Sequence, residues 1–279
     1  MKIGIFAKTF DRKSVDETLA AVRGAGFACT QFNLSCAQLE SMPDFVDDAV
    51  CKSICEAEKR HDVDIVALSG TFNMAHPDVN VRTNGLARLD VVLSVAARIG
   101  IPTVTLCTGS RDADNMWRRH VENDSDDAWR DMRDTMQMAL ALADKHDVTL
   151  AIEPELNNVV NSAAKARRLL DEMRSPRLKI VIDGANLISP GRMDHMQTTL
   201  SEGIELLADN IVLAHAKELP PPDHAEPVAI GDGTLDFDHY LNMLRRVGFD
   251  GPLIVHGIAE AHAVASFRFL KQRVAPSAG

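Results

Sequence analysis

The feature that most constrains this chain is a unit repeated eight times along it: a short apolar run of about five residues, a polar cluster, then a longer amphipathic segment. The apolar runs are Ile3–Phe6, Ala28–Phe32, Ile65–Leu68, Thr103–Leu106, Val148–Ile152, Leu178–Ile182, Ile211–Ala214 and Leu253–Val255. The segments between them, near Val15–Arg23, Val50–Arg60, Asn84–Arg98, Asp127–His146, Ser162–Glu172, Met193–Ala208, Phe237–Val247 and Ala261–Arg273, have helix rather than hairpin length. Strand and helix in strict alternation imply βαβ crossovers and a parallel sheet, and strands covered on both faces read as continuous apolar runs. At about 35 residues per unit over 279 residues, the pattern fits an eightfold (β/α) barrel, that is, an α/β fold, better than an open doubly wound sheet.

The dinucleotide-binding fingerprint is also missing. The close glycine pair Gly231 and Gly233 follows no strong strand and lacks a third glycine in register, so it reads as a turn before the helix at Phe237. No linker divides the chain. The Pro220-Pro221-Pro222 cluster is too short, and a single barrel over 1–274 with a disordered tail at 275–279 is expected.

Composition narrows the partners. Thirty Lys and Arg against 40 Asp and Glu give a net charge of −10, which argues against a nucleic-acid partner held by phosphate neutralisation. There is no run of 18 apolar residues and no charged leader before an apolar core, so no membrane partner and a cytoplasmic location are expected. Five cysteines without a CxxC pair offer neither a disulfide framework nor a zinc-finger spacing.

In a barrel of this kind reactive groups leave the carboxyl ends of the strands. Four consecutive apolar runs stop at a metal-grade ligand: Glu153, Asp183, His215 and His256, spaced 30, 32 and 41 residues apart, one unit each. Neighbouring strands lie roughly 4.8 Å apart, so side chains at one level of four adjacent strands can converge. Singly, each has a plain explanation: a strand-end carboxylate caps turns, and a lone histidine after an apolar strand is usually a core residue. Four in succession favour a ligand set. Two carboxylates and two imidazoles suit Mn²⁺, Co²⁺, Zn²⁺ or Fe²⁺ and are poorly matched to copper(I) or Ca²⁺.

Other strand ends carry hydroxyl, amide, imidazole and ammonium groups: Lys8, Asn33, Ser69, Thr105, Cys107 and Thr108, with Asn73 and His76 in the following loop. Groups of these kinds orient a polyhydroxylated ligand. Lys217 leaves its strand on the same side as His215 and either balances an enolate or is a solvated loop lysine. Trp117 and Arg111 sit in a long loop after the fourth strand, with the makings of a lid or of an ordinary charged surface loop. Glu155, two residues after Glu153, is a candidate second carboxylate for proton transfer.

The stretches IEPE at Glu153, VIDGAN at Asp183, AHAKE at His215, GDGTLDF and GPLIVHG resemble the sugar phosphate isomerase/epimerase family with the xylose-isomerase-like TIM barrel, across essentially the whole chain. The resemblance implies one divalent ion, Mn²⁺, Zn²⁺, Co²⁺ or Mg²⁺, on Glu153, Asp183 and His215. It also implies carboxylates at the fifth and eighth strand ends acting on carbon-bound protons of a small carbohydrate substrate, with a homodimer compatible.

The sequence departs from that pattern twice. His256 stands where a Glu is usual, and Asn186 stands where ketose epimerases carry a substrate-contacting His. The expected activity is a metal-dependent sugar or keto-sugar isomerase or epimerase working through an enediolate. Its catalytic groups are Glu153, Glu155, His256 and Lys217, its ligands Glu153, Asp183, His215 and His256, and its substrate contacts Asn73, His76, Thr108, Trp117, Arg111 and Asn186. Because the eighth-strand Glu is lost, a keto-sugar or keto-inositol dehydratase or lyase, or a non-catalytic sugar-binding barrel, stays open. The endonuclease branch of the same fold needs more ligands and a basic groove, neither of which the sequence offers.

Overall fold

The computed structural model describes residues 1–274 other than 190, 192 and 222–225; Pro222 and the tail expected at 275–279 lie outside the described residues. Eight strands, β1 (Lys2–Phe6), β2 (Cys29–Phe32), β3 (Asp64–Ser69), β4 (Thr103–Cys107), β5 (Thr149–Glu153), β6 (Leu178–Asp183), β7 (Ile211–Ala216) and β8 (Pro252–Val255), pair in chain order. The first pairs in parallel with the last, Lys2 opposite Pro252, and closes the barrel. Helices α1 (Val15–Gly24), α2 (Asp48–His61), α3 (Val79–Ile99), α4 (Asp126–His146), α5 (Ala163–Met173), α6 (Met196–Leu207), α7 (Phe237–Arg246) and α8 (Ala263–Val274) follow the strands in turn. Each expected strand and helix is present, with ends moved by a few residues.

Local chemistry explains where the helices begin. Ser14, Asp47, Asp78, Ser125, Ser162 and Asp236 each accept a hydrogen bond from a first-turn backbone N–H, meeting donors that would otherwise be orphaned. Several helices stop in a left-handed residue, Gly100 after α3 among them, where glycine pays no steric penalty.

The barrel has two apolar regions. The larger lies between strands and helices; the smaller, inside the barrel, consists of Cys29, Ala67, Ala151, Val181, Leu213 and Ile254. Gly4 completes that inner layer, since a β-carbon there would stand 2.6 Å from the Ile254 side chain and from the Cys29 carbonyl. Side chains two residues apart share one face of a strand. Two residues beyond each of these positions, the same strands therefore turn Phe6, Gln31, Ser69, Glu153, Asp183, His215 and His256 to the same inner face, at heights set by the stagger of the strands.

Among the described residues no helix is long and apolar enough to cross a membrane. The fit around Gly4 generates a test. Gly4→Ala overpacks the inner layer and should lower unfolding free energy by about 1–3 kcal/mol, measured by urea denaturation; unchanged stability would show that the floor is loosely packed.

Candidate active site

The polar layer surrounds a cavity of about 460 Å³ at the barrel mouth. A larger groove of about 1010 Å³ lies on the outer wall between α4 and α5, but its Arg167 and Arg168 are tied to Asp171 and Glu172 of their own helix. The convergent chemistry is at the mouth.

Three strand ends meet beneath that cavity. Asp183 pairs with His215 across β6 and β7, and Glu153 ends the adjoining β5. Nδ1 of His215 lies 3.4 Å from Oε1 of Glu153 and 3.8 Å from Oδ2 of Asp183. One donor atom from each residue falls within 4.8 Å of the others. Both His215 Nδ1 and Asp183 Oδ2 are buried without a hydrogen-bond partner.

The tautomer of His215 follows from its other nitrogen. Nε2 is 2.8 Å from Oε1 of Gln31, and Gln31 Nε2 donates to Ser69 Oγ (3.1 Å) and Thr105 Oγ1 (3.0 Å). The amide oxygen can only accept, so Nε2 carries the proton and Nδ1 presents a bare lone pair. Burial holds His215 neutral, down to about 4, with Asp183 opposing and Lys217 adding to the shift. Its close approaches to the carboxylates are therefore not ion pairs. Burial, then the Glu153 charge, pushes Asp183 up to about 7. Three lone pairs facing one another in a dry pocket call for a cation, and two oxygens with one imidazole nitrogen fit a divalent ion of the borderline class.

The ends of β6 and β7 are held by the chain's one tyrosine. Tyr240 Oη shares its proton between the carbonyls of Ile182 (3.1 Å) and His215 (3.0 Å). Asp183 Oδ1 accepts from the N–H groups of Ala185 and Asn186, starting the short turn Gly184–Leu187. That turn aims Asn186 back at the cluster. Asn186 Nδ2 donates to Glu153 Oε1 at 2.7 Å, and Lys217 Nζ donates to Asn186 Oδ1 at 3.0 Å.

Burial alone would lower the Lys217 ammonium, but Asp183, Glu153 and Glu155 outweigh it and raise its pKa. Burial raises the Glu155 carboxyl; Lys217 opposes that shift and Glu153 adds to it. Glu218, next in the chain, is buried and accepts from the N–H groups of Leu219, Gly231 and Leu235, anchoring the glycine turn before α7.

His256 does not join the cluster. His215 is opposite Ile254 in the β7–β8 register, so His256 stands one pleat further along, its ring 5.1 Å from that of His215 and edge-on to Phe6 at 5.5 Å. Burial, then the nearby His215, hold it neutral down to about 3. It lines the cavity together with Glu155, Lys217 and Trp117.

Four expected substrate contacts do not line the cavity and bond within the protein instead, although Arg111 Nε is buried without a partner. Asn73 donates to the carbonyls of Ser110 (2.8 Å) and Asp112 (3.3 Å) and accepts from Ser110 N–H (3.0 Å), locking the β3 loop to the β4 loop. His76 donates from Nε2 to the Ala113 carbonyl and accepts at Nδ1 from Asp78 N–H. Thr108 Oγ1 accepts from Val160 N–H, and Arg111 is paired with Asp131 at 2.7 Å. Asn186, also expected to touch substrate, has both ends of its amide taken by Glu153 and Lys217.

Gln31, which lines the cavity and contacts His215, is the site position that strand-end reasoning misses, since it lies within β2. Its signal is a polar residue one pleat beyond inward-facing Cys29.

A family model described as the xylose isomerase-like TIM barrel matches residues 19–273, and the chain belongs to that family. Among its curated relatives is L-ribulose-5-phosphate 3-epimerase UlaE of Shigella boydii, 25% identical over 205 residues that cover 72% of this chain. The match spans 66% of that relative's length, just under two thirds. Two solved structures share the fold. They are 3-keto-D-glucoside 4-epimerase YcjR of E. coli (TM-score 0.76, 17% identity, 98% of this chain and 99% of the other) and the probable 3-DHS dehydratase AsbF of Bacillus anthracis (TM-score 0.77, 14% identity, 98% and 100%).

The histidine geometry sets a pH test. Unfolded, His215 and His256 titrate near the ordinary 6.5; folded, they stay neutral to about 4 and about 3. Between those values the unfolded chain binds more protons, so their contribution to stability is present above 6.5 and lost as pH falls. Asp183, raised from 3.8 to about 7, contributes the opposite sign and offsets one imidazole of the two. Chelator-treated protein should be less stable at pH 5 than at pH 7 by denaturant titration. At pH 5, ¹⁵N NMR should show His215 as the neutral Nε2–H tautomer, and Gln31→Leu should erase that preference. A protonated His215 at pH 5 would refute the assignment.

Proposed function

We propose that the protein is a metal-dependent isomerase or epimerase of a sugar or keto-sugar, removing a proton from the carbon next to a carbonyl. The observation that carries this reading is the convergence of Glu153 Oε1, Asp183 Oδ2 and His215 Nδ1 beneath a sugar-sized cavity, with Glu153 itself on the cavity wall. Membership of the family and the epimerase name of the UlaE relative support it.

Glu153, Asp183 and His215 would hold the divalent ion, which supplies a Lewis acid beside the substrate carbonyl. The chain's own residues account for the proton. Oε1 of Glu153 is taken by Asn186, while Oε2 accepts no hydrogen bond from the described residues and Glu153 lines the cavity, so Oε2 is the base in this reading. It takes the α-proton, the C–H electron pair becomes a carbon–carbon double bond while the carbonyl π pair moves onto the oxygen, and the resulting enediolate would lie within the field of the Lys217 ammonium. Return of the proton to the former carbonyl carbon, with the hydroxyl proton passing from one enediolate oxygen to the other, completes an isomerisation; return to the same carbon from the other face, with the carbonyl re-formed, completes an epimerisation. Glu155 and His256 stand at the cavity wall for that second transfer.

A second reading is favoured by one observation. Where the family pattern has a carboxylate on β8, this chain has an imidazole held neutral by burial, which is a weaker partner for opposite-face transfer. Chemistry from the Glu153 face alone, either isomerisation or elimination of a β-hydroxyl from a keto-sugar or keto-inositol, needs no base there.

Two experiments test these assignments. Purified protein should hold about one divalent ion per chain and exchange the α-proton of a ketose in D₂O. Glu153→Gln should slow that exchange roughly 10²–10⁴-fold. Full activity after exhaustive chelation would overturn the reading, and absence of exchange with any keto-sugar would leave a binding protein instead. Secondly, His256→Ala should retain metal by elemental analysis while losing turnover; loss of the ion with the side chain would make His256 a ligand after all.

A further inference from the structure

Two loops contribute side chains to one side of the cavity. Met116 and Trp117 come from the loop after β4, and Glu155 comes from the loop after β5. The β4 loop has the length of a lid, yet its turns are bonded from within. Asp112 Oδ1 accepts from the N–H groups of Asp114 (3.0 Å) and Asn115 (2.9 Å), and Asn115 Oδ1 accepts from the Trp117 N–H (2.9 Å). The loop is therefore a shaped piece, and what has to be fixed is its placement against the β5 loop.

Asn158 makes that connection. It is fully buried, and each of its polar groups but the carbonyl reaches the backbone of a residue at or beside the cavity wall. Its Oδ1 accepts from the Gly109 N–H at 2.8 Å, its Nδ2 donates to the Met116 carbonyl at 3.1 Å, and its own N–H donates to the Glu155 carbonyl at 2.8 Å. Gly109 is where the loops cross. It is left-handed, with φ 75°, and a β-carbon there would collide with Asn73 Oδ1 of the β3 loop. The remaining bonds between the β4 and β5 loops lie elsewhere: Val159 N–H to the Gly109 carbonyl (2.9 Å), Val160 N–H to Thr108 Oγ1 (3.0 Å), and Asn123 Nδ2 to the Asn157 carbonyl (2.8 Å). Among the described residues no other hydrogen bond joins Met116 or Trp117 to the β5 loop. A primary amide suits the place, because it carries one acceptor and one donor at fixed spacing, and any apolar substitute orphans a buried group on each side.

We infer that Asn158 is a positioning residue, holding Met116 and Trp117 in a set place against Glu155 so that this side of the cavity is a preassembled wall and not a closing lid. The inference rests on the proposed function for what the cavity holds, but the wall itself is read without substrate. A ligand entering such a site pays no cost of ordering the β4 loop, and its reacting carbon meets the Glu155 side at a distance fixed in advance.

The test is ¹⁹F NMR of the ligand-free protein labelled with 5-fluorotryptophan. The chain has two tryptophans, and Trp129, on α4 and bonded to Glu172, serves as the internal reference. Trp117→Phe assigns the lines. In the unaltered protein Trp117 should give one narrow line whose width does not change when a ketose is added. Asn158→Ala should shift or broaden that line and leave the Trp129 line in place. Asn158→Ser, whose hydroxyl still serves Gly109 N–H but is too short to span both loops, is the milder variant and should do the same. Thr108→Val orphans the Val160 N–H at the strand end, a loss of similar kind, and should leave the Trp117 line where it was.

A Trp117 line that stays put in both Asn158 variants overturns the inference, as does one that moves equally in Thr108→Val. Broad or doubled Trp117 signals that sharpen only with ligand would make the loop a lid and overturn it too. Failure of both variants to fold would make Asn158 a structural residue and have the same force. In the isomerase reading, folded Asn158→Ala should also slow α-proton exchange roughly ten- to hundredfold with its metal content unchanged, the scale of a small misplacement made outside the reacting centre. Absence of exchange in the unaltered protein refutes the isomerase reading only, whereas an unmoved Trp117 line refutes the role of Asn158 only.

Discussion

Inside the barrel the two-residue repeat of a strand does most of the work. A small apolar side chain on one pleat forces the side chain two residues on to share its face, and closure of the sheet leaves that face no room to turn away. Cys29, Ala67, Ala151, Val181, Leu213 and Ile254 seal the floor against water. The residues above them stand at the edge of a dry region with their polar atoms directed inward. Electrostatic effects are large there because solvent cannot screen them. Had the floor been polar, the same carboxylates would be solvated and their lone pairs no longer left to face one another in a dry pocket.

The cluster depends on what surrounds it as much as on its three members. Gln31 receives the His215 N–H and is itself oriented by Ser69 and Thr105, so side chains from four strands fix one imidazole lone pair. Asn186 does the parallel task for Glu153, occupying one oxygen and leaving the other toward the cavity. Because its second end accepts from Lys217, the Glu153 carboxylate and the Lys217 ammonium are held at a set separation by a single amide. Outer partners of this type raise ligand basicity and restrict rotation, which is why their loss weakens metal sites.

The barrel could be read from the sequence because its signal is local: eight apolar runs of strand length, with helices between them opened by Ser or Asp. Glu153, Asp183 and His215 could be read for the same reason, each ending a run. The fate of His256 could not, because it depends on the β7–β8 register, which sets His215 opposite Ile254. Nor could the sequence separate a polar loop residue that meets a ligand from one that holds the loop. Asn73, His76, Thr108 and Arg111 have the chemistry of sugar contacts, yet their atoms are consumed by the backbone around Ser110, Ala113, Val160 and Ala75 or by Asp131. Gln31 is the converse: a mid-strand amide with no motif around it, whose importance appears only when the strands close.

The replacement at the eighth strand bears on how the proposed chemistry can run. A carboxylate there would present a second proton acceptor on the face opposite Glu153. The imidazole of His256 is packed edge-on against Phe6 and tilted against His215. Taking up a proton would place a cation in that apolar corner beside Lys217, and burial and His215 oppose it first. His256 can still donate one hydrogen bond and accept another while neutral, which is enough to orient a hydroxyl. Under the proposed function the charge-bearing steps therefore fall to the Glu153 face, and the ammonium of Lys217, tied to that face through Asn186, stands where the enediolate oxygen would develop its charge. The asymmetry that weakens a two-base epimerisation is the same one that strengthens same-face transfer.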